Sequence, residues 1–331
     1  MTKRWYLLQL LAAGAAVALS AACGPKSAGP EAAQNGPTSG DLPLRALSAP
    51  QLFAPGVVST EKPEFATAFA PDGSAVYFNV ASSDRSSLQL MRATAAPGSG
   101  PDGPWSGRTA LPFSDGTYRD VDPFISPDGQ RLYFSSDRPV SGTVTEEDFD
   151  TWYAVKRGDG WSELKNPGLP LNRDDADEIF VSVTSAGALY FSADLPGQER
   201  LGIFRALPDG DGFAEPEWLD LQAAGAPRDA EPMRLGNPSV SADGRLLLVV
   251  GPGNSDGDRA DLYVSENQGD RWGPLYNLGP EINSGYSDFA PALSPDGRYL
   301  YFTSERPGVV TARPDGERPP SDIYWVEITR R

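Results

Sequence analysis

One phrase recurs five times along the 331-residue chain, and its period constrains the fold more than any other feature. The copies read FAPDGSAVYFNVASSDR from Phe69, ISPDGQRLYFSSDRP from Ile125, VTSAGALYFSADLPG from Val183, VSADGRLLLVVGPG from Val240 and LSPDGRYLYFTSERPG from Leu293. Their turn glycines, Gly73, Gly129, Gly187, Gly244 and Gly297, stand 56, 58, 57 and 53 residues apart. A regular period near this length belongs to propellers and related arrays. Ahead of each glycine the chain alternates or runs apolar, and behind it come β-branched or aromatic residues (VYFNV, LYFSS, LYFSA, LLLVV, LYFTS). Two such runs around an Asp-Gly or Ala-Gly turn make a β-hairpin.

A third strand follows each hairpin (LQLMRA, TWYAVKR, GIFRAL, DLYVSE, DIYWVEI). After it comes a turn bearing an aromatic residue (Trp105, Trp161, Phe213, Trp272) and a weaker fourth strand (TALPF, SELKN, EWLDL, PLYNL). Four antiparallel strands per repeat make one propeller blade. Only four fourth strands are found for five third strands, and PQLFAPG at residues 50–56 reads as the missing one. The expectation is an all-β, five-bladed β-propeller over residues 46–331, monomeric, with an N-terminal strand completing the last blade. Such closure removes the open sheet edges that invite aggregation.

Composition narrows the chemistry. There is no His and one Cys, which excludes Ser-His-Asp and Cys-His catalysis, His-ligated metals and a disulfide framework. A charge of 28 − 45 = −17 argues against nucleic acid, whose phosphates need a basic footprint. At the N-terminus, Lys3 and Arg4 precede an uncharged run from Trp5 to Pro25, with an apolar centre of signal-peptide length. Residues 24–44 are rich in Gly, Pro, Ala and Ser and offer almost nothing to bury, as in a disordered tether.

Two resemblances follow from these residues. LSAAC, ending at Cys23, resembles the lipobox of bacterial lipoproteins, with Ser20 where a large aliphatic residue is usual. It implies a signal peptide over 1–22, a lipid on Cys23 and a lipidated linker over 23–45. Gly24 in place of Asp after the lipidated Cys implies the outer membrane, at its periplasmic face. SPDGRYLYFTSERPG with DIYWVEI, and SPDGQRLYFSSDRP, resemble the WD-like repeat of TolB-type propellers and of related envelope lipoproteins. That resemblance implies a non-catalytic scaffold for an envelope protein or a peptidoglycan-associated partner. The resemblance extends over the propeller repeats, and no TolB-like N-terminal domain is expected within these residues.

Candidate binding residues lie nine positions ahead of the turn glycines: Glu64, Asp120, Glu178, Leu235 and Asp288. Four carboxylates at the start of the innermost strands would ring one channel mouth and hold a basic partner segment or a cation such as calcium, although no cofactor is assigned. The competing reading has each carboxylate cap its own strand or meet a loop arginine. The pairs Asp84-Arg85, Asp137-Arg138 and Glu305-Arg306, with Asp150, Asp261 and Asp322 at the heads of third strands, are expected to organise the long loops. The run Ser265 to Trp272 resembles the Asp-box of sialidases, a structural turn, with Asn267 in place of its Asp. Glycan binding or glycoside hydrolysis by the channel carboxylates is the enzymatic alternative, and it needs two carboxylates with distinct environments.

Overall fold

A computed structural model describes residues 42–83, 86–140, 148–194, 201–227, 229–253, 259–269, 271–311 and 320–330. The signal segment, Cys23, most of the linker and the Asp84-Arg85 pair lie outside the described residues. The rest is all-β, a five-bladed propeller of antiparallel sheets. Blade 1 runs Glu64–Phe69, Ala75–Ala81, Leu88–Thr94 and Ser106–Ala110 from the axis outward, and blade 2 runs Asp120–Ile125, Arg131–Ser136, Asp150–Arg157 and Gly160–Lys165. Blade 3 is Ile179–Val183, Leu189–Asp194, Leu201–Ala206 and Glu217–Trp218, and blade 4 is Gly236–Val240, Leu246–Pro252, Ala260–Glu266 and Tyr276–Asn277. Blade 5 has Asp288–Leu293, Tyr299–Ser304 and Asp322–Arg330.

The fourth strand of blade 5 comes from the N-terminal side of the chain, in two pieces. Gln51 and Leu52 pair with Trp325 and Tyr324, and Leu44–Ala46 pairs with Arg330–Ile328. The outer strand thus begins at Leu44, ahead of the expected boundary at residue 46, because Leu44 is itself buried. Phe53 then drops between blades 5 and 1, fully buried, with its ring centroid 5.0 Å from Tyr301, 5.4 Å from Trp105 and 5.9 Å from Phe69.

The repeat is spent on turns and seams. All five turn glycines have φ between +69° and +86°, a region that an L side chain enters only with strain. In blades 1 and 3 the tyrosine of the second strand lies under a tryptophan from the outer turn of the following blade. Tyr77 meets Trp161 edge-on at 5.9 Å, and Tyr190 meets Trp272 at 5.9 Å. The buried apolar residues form clusters in the seams between neighbouring blades and one larger cluster that reaches all five blades through inner-strand residues such as Phe65, Val121, Ile179, Phe289 and, from blade 4, Leu248.

Every innermost strand also carries a bulge, seven positions ahead of its glycine. The register shifts there in all five blades. Ala66, Asp122, Phe180, Asn237 and Ala290 occupy the bulge with φ between +48° and +60°. Such a conformation costs about 1–2 kcal/mol for an ordinary L residue. Second-strand side chains of the adjoining blade hold it: the Ala66 amide donates to Thr303 Oγ1 at 3.0 Å, and that of Asp122 to Asn79 Oδ1 at 2.8 Å.

Phe53→Ala is expected to destabilise the protein by about 3–5 kcal/mol, the range for a fully buried aromatic. Chemical denaturation measures it, and a loss below 1 kcal/mol would mean that the N-terminal segment does not close the ring.

Candidate functional site

The channel has three levels. At one end stand the first residues of the inner strands, at the waist the five bulges, and at the other end the turns. The waist encloses about 40 Å³, bounded by the bulge residues together with Thr67, Phe124, Ser239 and Ala292. Those last four residues also form the floor of a half-open cup of about 540 Å³ on the turn face, rimmed by Pro71, Pro127, Ala242, Pro295 and Arg330. A side cleft of about 230 Å³ continues from the cup past Phe69 and Ser294 to Trp105, Tyr299 and Tyr301.

The four carboxylates singled out from the sequence are not gathered around one ion. A radially placed blade turns the edge of its inner strand to the axis and its side chains toward the flanking blades, so each carboxylate is drawn into its own seat. Glu64 accepts from Thr60 N at 2.8 Å, Thr60 Oγ1 at 2.6 Å and Arg108 Nη2 at 2.7 Å. Asp120 accepts from Ser136 Oγ at 2.7 Å and Arg138 Nη2 at 2.5 Å. Asp288 takes Ser284 N at 2.5 Å, Ser284 Oγ at 2.8 Å and Arg306 Nη2 at 2.8 Å. Among the described residues no group of three carboxylates is placed to hold a metal ion. Leu235 keeps the same backbone seat, donating its amide to Leu201 O as Glu64 does to Ser321 O and Glu178 to Phe149 O. Its side chain joins the apolar seam between blades 3 and 4.

Glu178 stands apart. Its Oε2 accepts only from the Arg173 amide, at 3.2 Å, and its Oε1 has no hydrogen-bond partner. Burial, with Asp150, Asp177 and Asp148 nearby, pushes its carboxyl up to about 9. Burial also raises Asp150 and Asp177 to about 6, and lifts Glu64 and Asp120 above their ordinary values in spite of their arginines.

The arginines of the Asp-Arg and Glu-Arg pairs serve these seats. Arg138 and Arg306 bend from the ends of second strands to Asp120 and Asp288, while Asp137 receives Arg119 at 2.6 Å. The aspartates at the heads of third strands face elsewhere: Asp150 accepts from Asn166 and Asp261 from Asn277, both at 2.8 Å, and Asp322 from the Val309 amide at 2.9 Å. Asn166 and Asn277 in turn hold Asn172 and Asn283 at 2.8 and 3.0 Å, which clamp the backbones of Thr151 and Leu262. The signal for this pair of clamps is in the sequence: NPGLPLN and NLGPEIN, each sixteen residues after its aspartate. The Asp-box-like run forms a turn in which Asn267 Oδ1 accepts from Gly269 N and Asn267 Nδ2 donates to Gly244 O.

Sequence reasoning passed over Asp122, the one carboxylate among the described residues of the waist. It is 7% exposed, its Oδ1 has no partner, and burial raises its carboxyl well above the ordinary range.

No protein-family model matches the sequence, and no curated protein matches it. Among solved structures, the chain is similar to a GH43_1 enzyme from Xanthomonas citri (16% identity, 85% of this chain and 91% of that one, TM-score 0.50). It is also similar to an α-L-arabinofuranosidase from Lactobacillus brevis (12% identity, 80% and 90%, TM-score 0.50). An oligogalacturonate lyase from Vibrio parahaemolyticus aligns at 13% identity and TM-score 0.36, with 81% of this chain covering 66% of the lyase. At these identities the likeness is one of fold.

The seats respond oppositely to neutralisation. Arg306→Gln leaves Asp288 buried without its guanidinium and is expected to destabilise by about 3–5 kcal/mol. Glu178→Gln removes a buried acid that has no cation. The folded protein holds the Glu178 proton up to about pH 9, whereas the unfolded chain releases it near the ordinary value of 4.5. Stability from this group is therefore greatest at low pH and declines as pH rises through that window. Thermal melts should show Glu178→Gln raising Tm at pH 8 by several degrees and changing it little at pH 4.5. A uniform loss at both pH values would contradict this account.

Proposed function

We propose that this chain is a lipid-anchored envelope protein, tethered through Cys23 at the periplasmic face of the outer membrane, whose propeller is a TolB-like binding scaffold for a protein or cell-wall partner. The observation that carries the reading is the cup with its side cleft. Together they make a continuous concavity floored by small and apolar groups, with Trp105, Tyr299 and Tyr301 along the cleft and Asp243, Asp296 and Arg330 at the edges. Concave, partly apolar surfaces with a few placed polar groups are where ligands bind, and an extended peptide or glycan strand suits this shape.

A cleaving glycosidase needs two carboxylates about 5–9.5 Å apart across the scissile bond. The waist offers Asp122, with Ala66, Phe180, Asn237 and Ala290 at the equivalent bulges. That arrangement favours holding a ligand over hydrolysing one.

Ala242 is exposed on the cup rim, and its backbone carbonyl accepts from the Ser185 amide whatever its side chain. Ala242→Trp is expected to fill the cup, abolish capture of the envelope partner in a pull-down and leave Tm within about 2 °C. Partner capture unaffected by the tryptophan would move the binding surface elsewhere. Hydrolysis of an envelope polysaccharide that disappears in Asp122→Asn would replace the scaffold reading with the enzymatic one. Cys23→Ser is expected to leave the signal segment uncleaved by the lipoprotein route and to block lipid labelling. Unchanged processing and labelling would sink the lipoprotein part.

A further inference from the structure

Three of the four strand-opening carboxylates meet a guanidinium from their own blade, at 2.7 Å on Glu64, 2.5 Å on Asp120 and 2.8 Å on Asp288. Blade 3 breaks the pattern. Glu178 is wholly buried, and Oε1 has no partner. The reason is legible in the repeat: where blades 2 and 5 read SDRP and SERP, blade 3 reads ADLP, with Leu195 in the place of Arg138 and Arg306.

The seam around this seat is acidic. Asp174 and Asp194 are exposed, Asp148 and Asp177 half-buried, and Asp150 buried. Among the described residues, the two nearby arginines are engaged elsewhere. Arg173 forks onto Asp175 at 2.9 Å, and Arg119 pairs with Asp137 while lying 4.7 Å above the Phe149 ring. Asp177 and Asp150 spend one oxygen each on Phe149 N and Asn166 Nδ2.

We propose that the seam between blades 2 and 3 is a docking site for an arginine-bearing segment of a protein partner, which supplies in trans the guanidinium that blades 1, 2 and 5 supply in cis. The sibling seats show the chemistry that a strand-opening carboxylate accepts: a planar cation that reaches inward from the rim, with 10–20% of its side chain still exposed. A metal ion fits less well, since among the described residues no three carboxylates are placed to share one. The surrounding aspartates would draw a basic segment toward the seam. The site lies on the opposite channel end from the cup, so it stands or falls independently of the cup's role.

The test is calorimetric titration of the full chain in detergent with a terminally blocked tri-arginine peptide, alongside its citrulline counterpart, which has the same shape without the charge. The arginine peptide is expected to bind at least tenfold more tightly than the citrulline one, and more weakly as salt rises. Glu178→Gln, a neutral isostere, should lose at least tenfold in affinity. Leu195→Arg restores the repeat's own guanidinium and should abolish binding while raising Tm. Binding to wild type at pH 7.5 should also release protons, seen as heats that differ between buffers, because the buried acid ionises on meeting its cation. Glu178 is faced in this by Asp148, Asp150 and Asp177, with Asp174 and Asp194 at the rim and Arg119 and Arg173 as the nearby cations. Equal affinities for wild type and Glu178→Gln would overturn the proposal, leaving only diffuse attraction to an acidic surface. Stoichiometric calcium binding that requires Glu178 would overturn it in favour of a metal.

Discussion

The last blade of a propeller must meet its first, and here they meet through a short antiparallel pairing between the N-terminal segment and Asp322–Arg330 together with direct contacts, Phe69 on Tyr301 at 4.3 Å and the Ala66 amide on Thr303 Oγ1. Gln51 and Leu52 contribute two rungs beside Tyr324 and Trp325, and Leu44–Ala46 three more at the far end. Two- and three-rung pairings are weak in isolation. What fixes them is Phe53, which sits against aromatic rings from both blade 1 and blade 5, and the Ser59 hydroxyl, which donates to Ile323 O at 3.1 Å. The other seams carry their own buried clusters, and this one alone is built with a strand from the far end of the sequence.

Once the ring is closed, each blade presses the same positions against its neighbours, and the repeat acquires its meaning. Glycine turns at positive φ recur in all five blades, a carboxylate under an arginine in three, and an aromatic residue over the preceding blade's tyrosine in two, as repeated solutions to one packing problem. The departures are then informative. Blade 4 replaces the carboxylate with Leu235 and needs no cation, because the side chain enters an apolar seam. Blade 3 keeps the carboxyl and loses the arginine, which is the less stable combination, since an unpaired buried carboxyl must hold its proton far above its ordinary range to stay neutral. A fold selected for stability alone would have taken the route of blade 4.

The blade count, the closing strand and the turn glycines were legible because each depends on local sequence: β-forming runs, a turn that demands glycine, a fixed period. The Asp-box-like turn was legible for the same reason. The direction of the inner-strand side chains was not. Reading the strand with period two places residues on alternate faces, but the bulge at Ala66, Asp122, Phe180, Asn237 and Ala290 interrupts that alternation, and no residue type marks it. Asp122 therefore escaped notice while Glu64, Asp120, Glu178 and Asp288 drew it. The partner of Glu64 was hidden for a different reason. Arg108 comes from the outer strand, 44 residues away, and not from the repeat position that supplies Arg138 and Arg306.

The direction of the closing strand also orients the molecule relative to any tether. Leu44 pairs with Arg330, and Arg330 lies on the rim of the cup beside Gly297. The chain therefore joins the ring from the turn face and runs toward the face where the loops and the Glu178 seam lie. About 20 residues separate Cys23 from this point; fully extended they span at most about 70 Å, and as a flexible coil about 25 Å. With Cys23 as the proposed anchor, the tether would enter on the cup side of the ring, at the opposite channel end from the acidic seam. The cup would then lie on the side where the tether enters and the seam on the other, so that one occupant would not block the second.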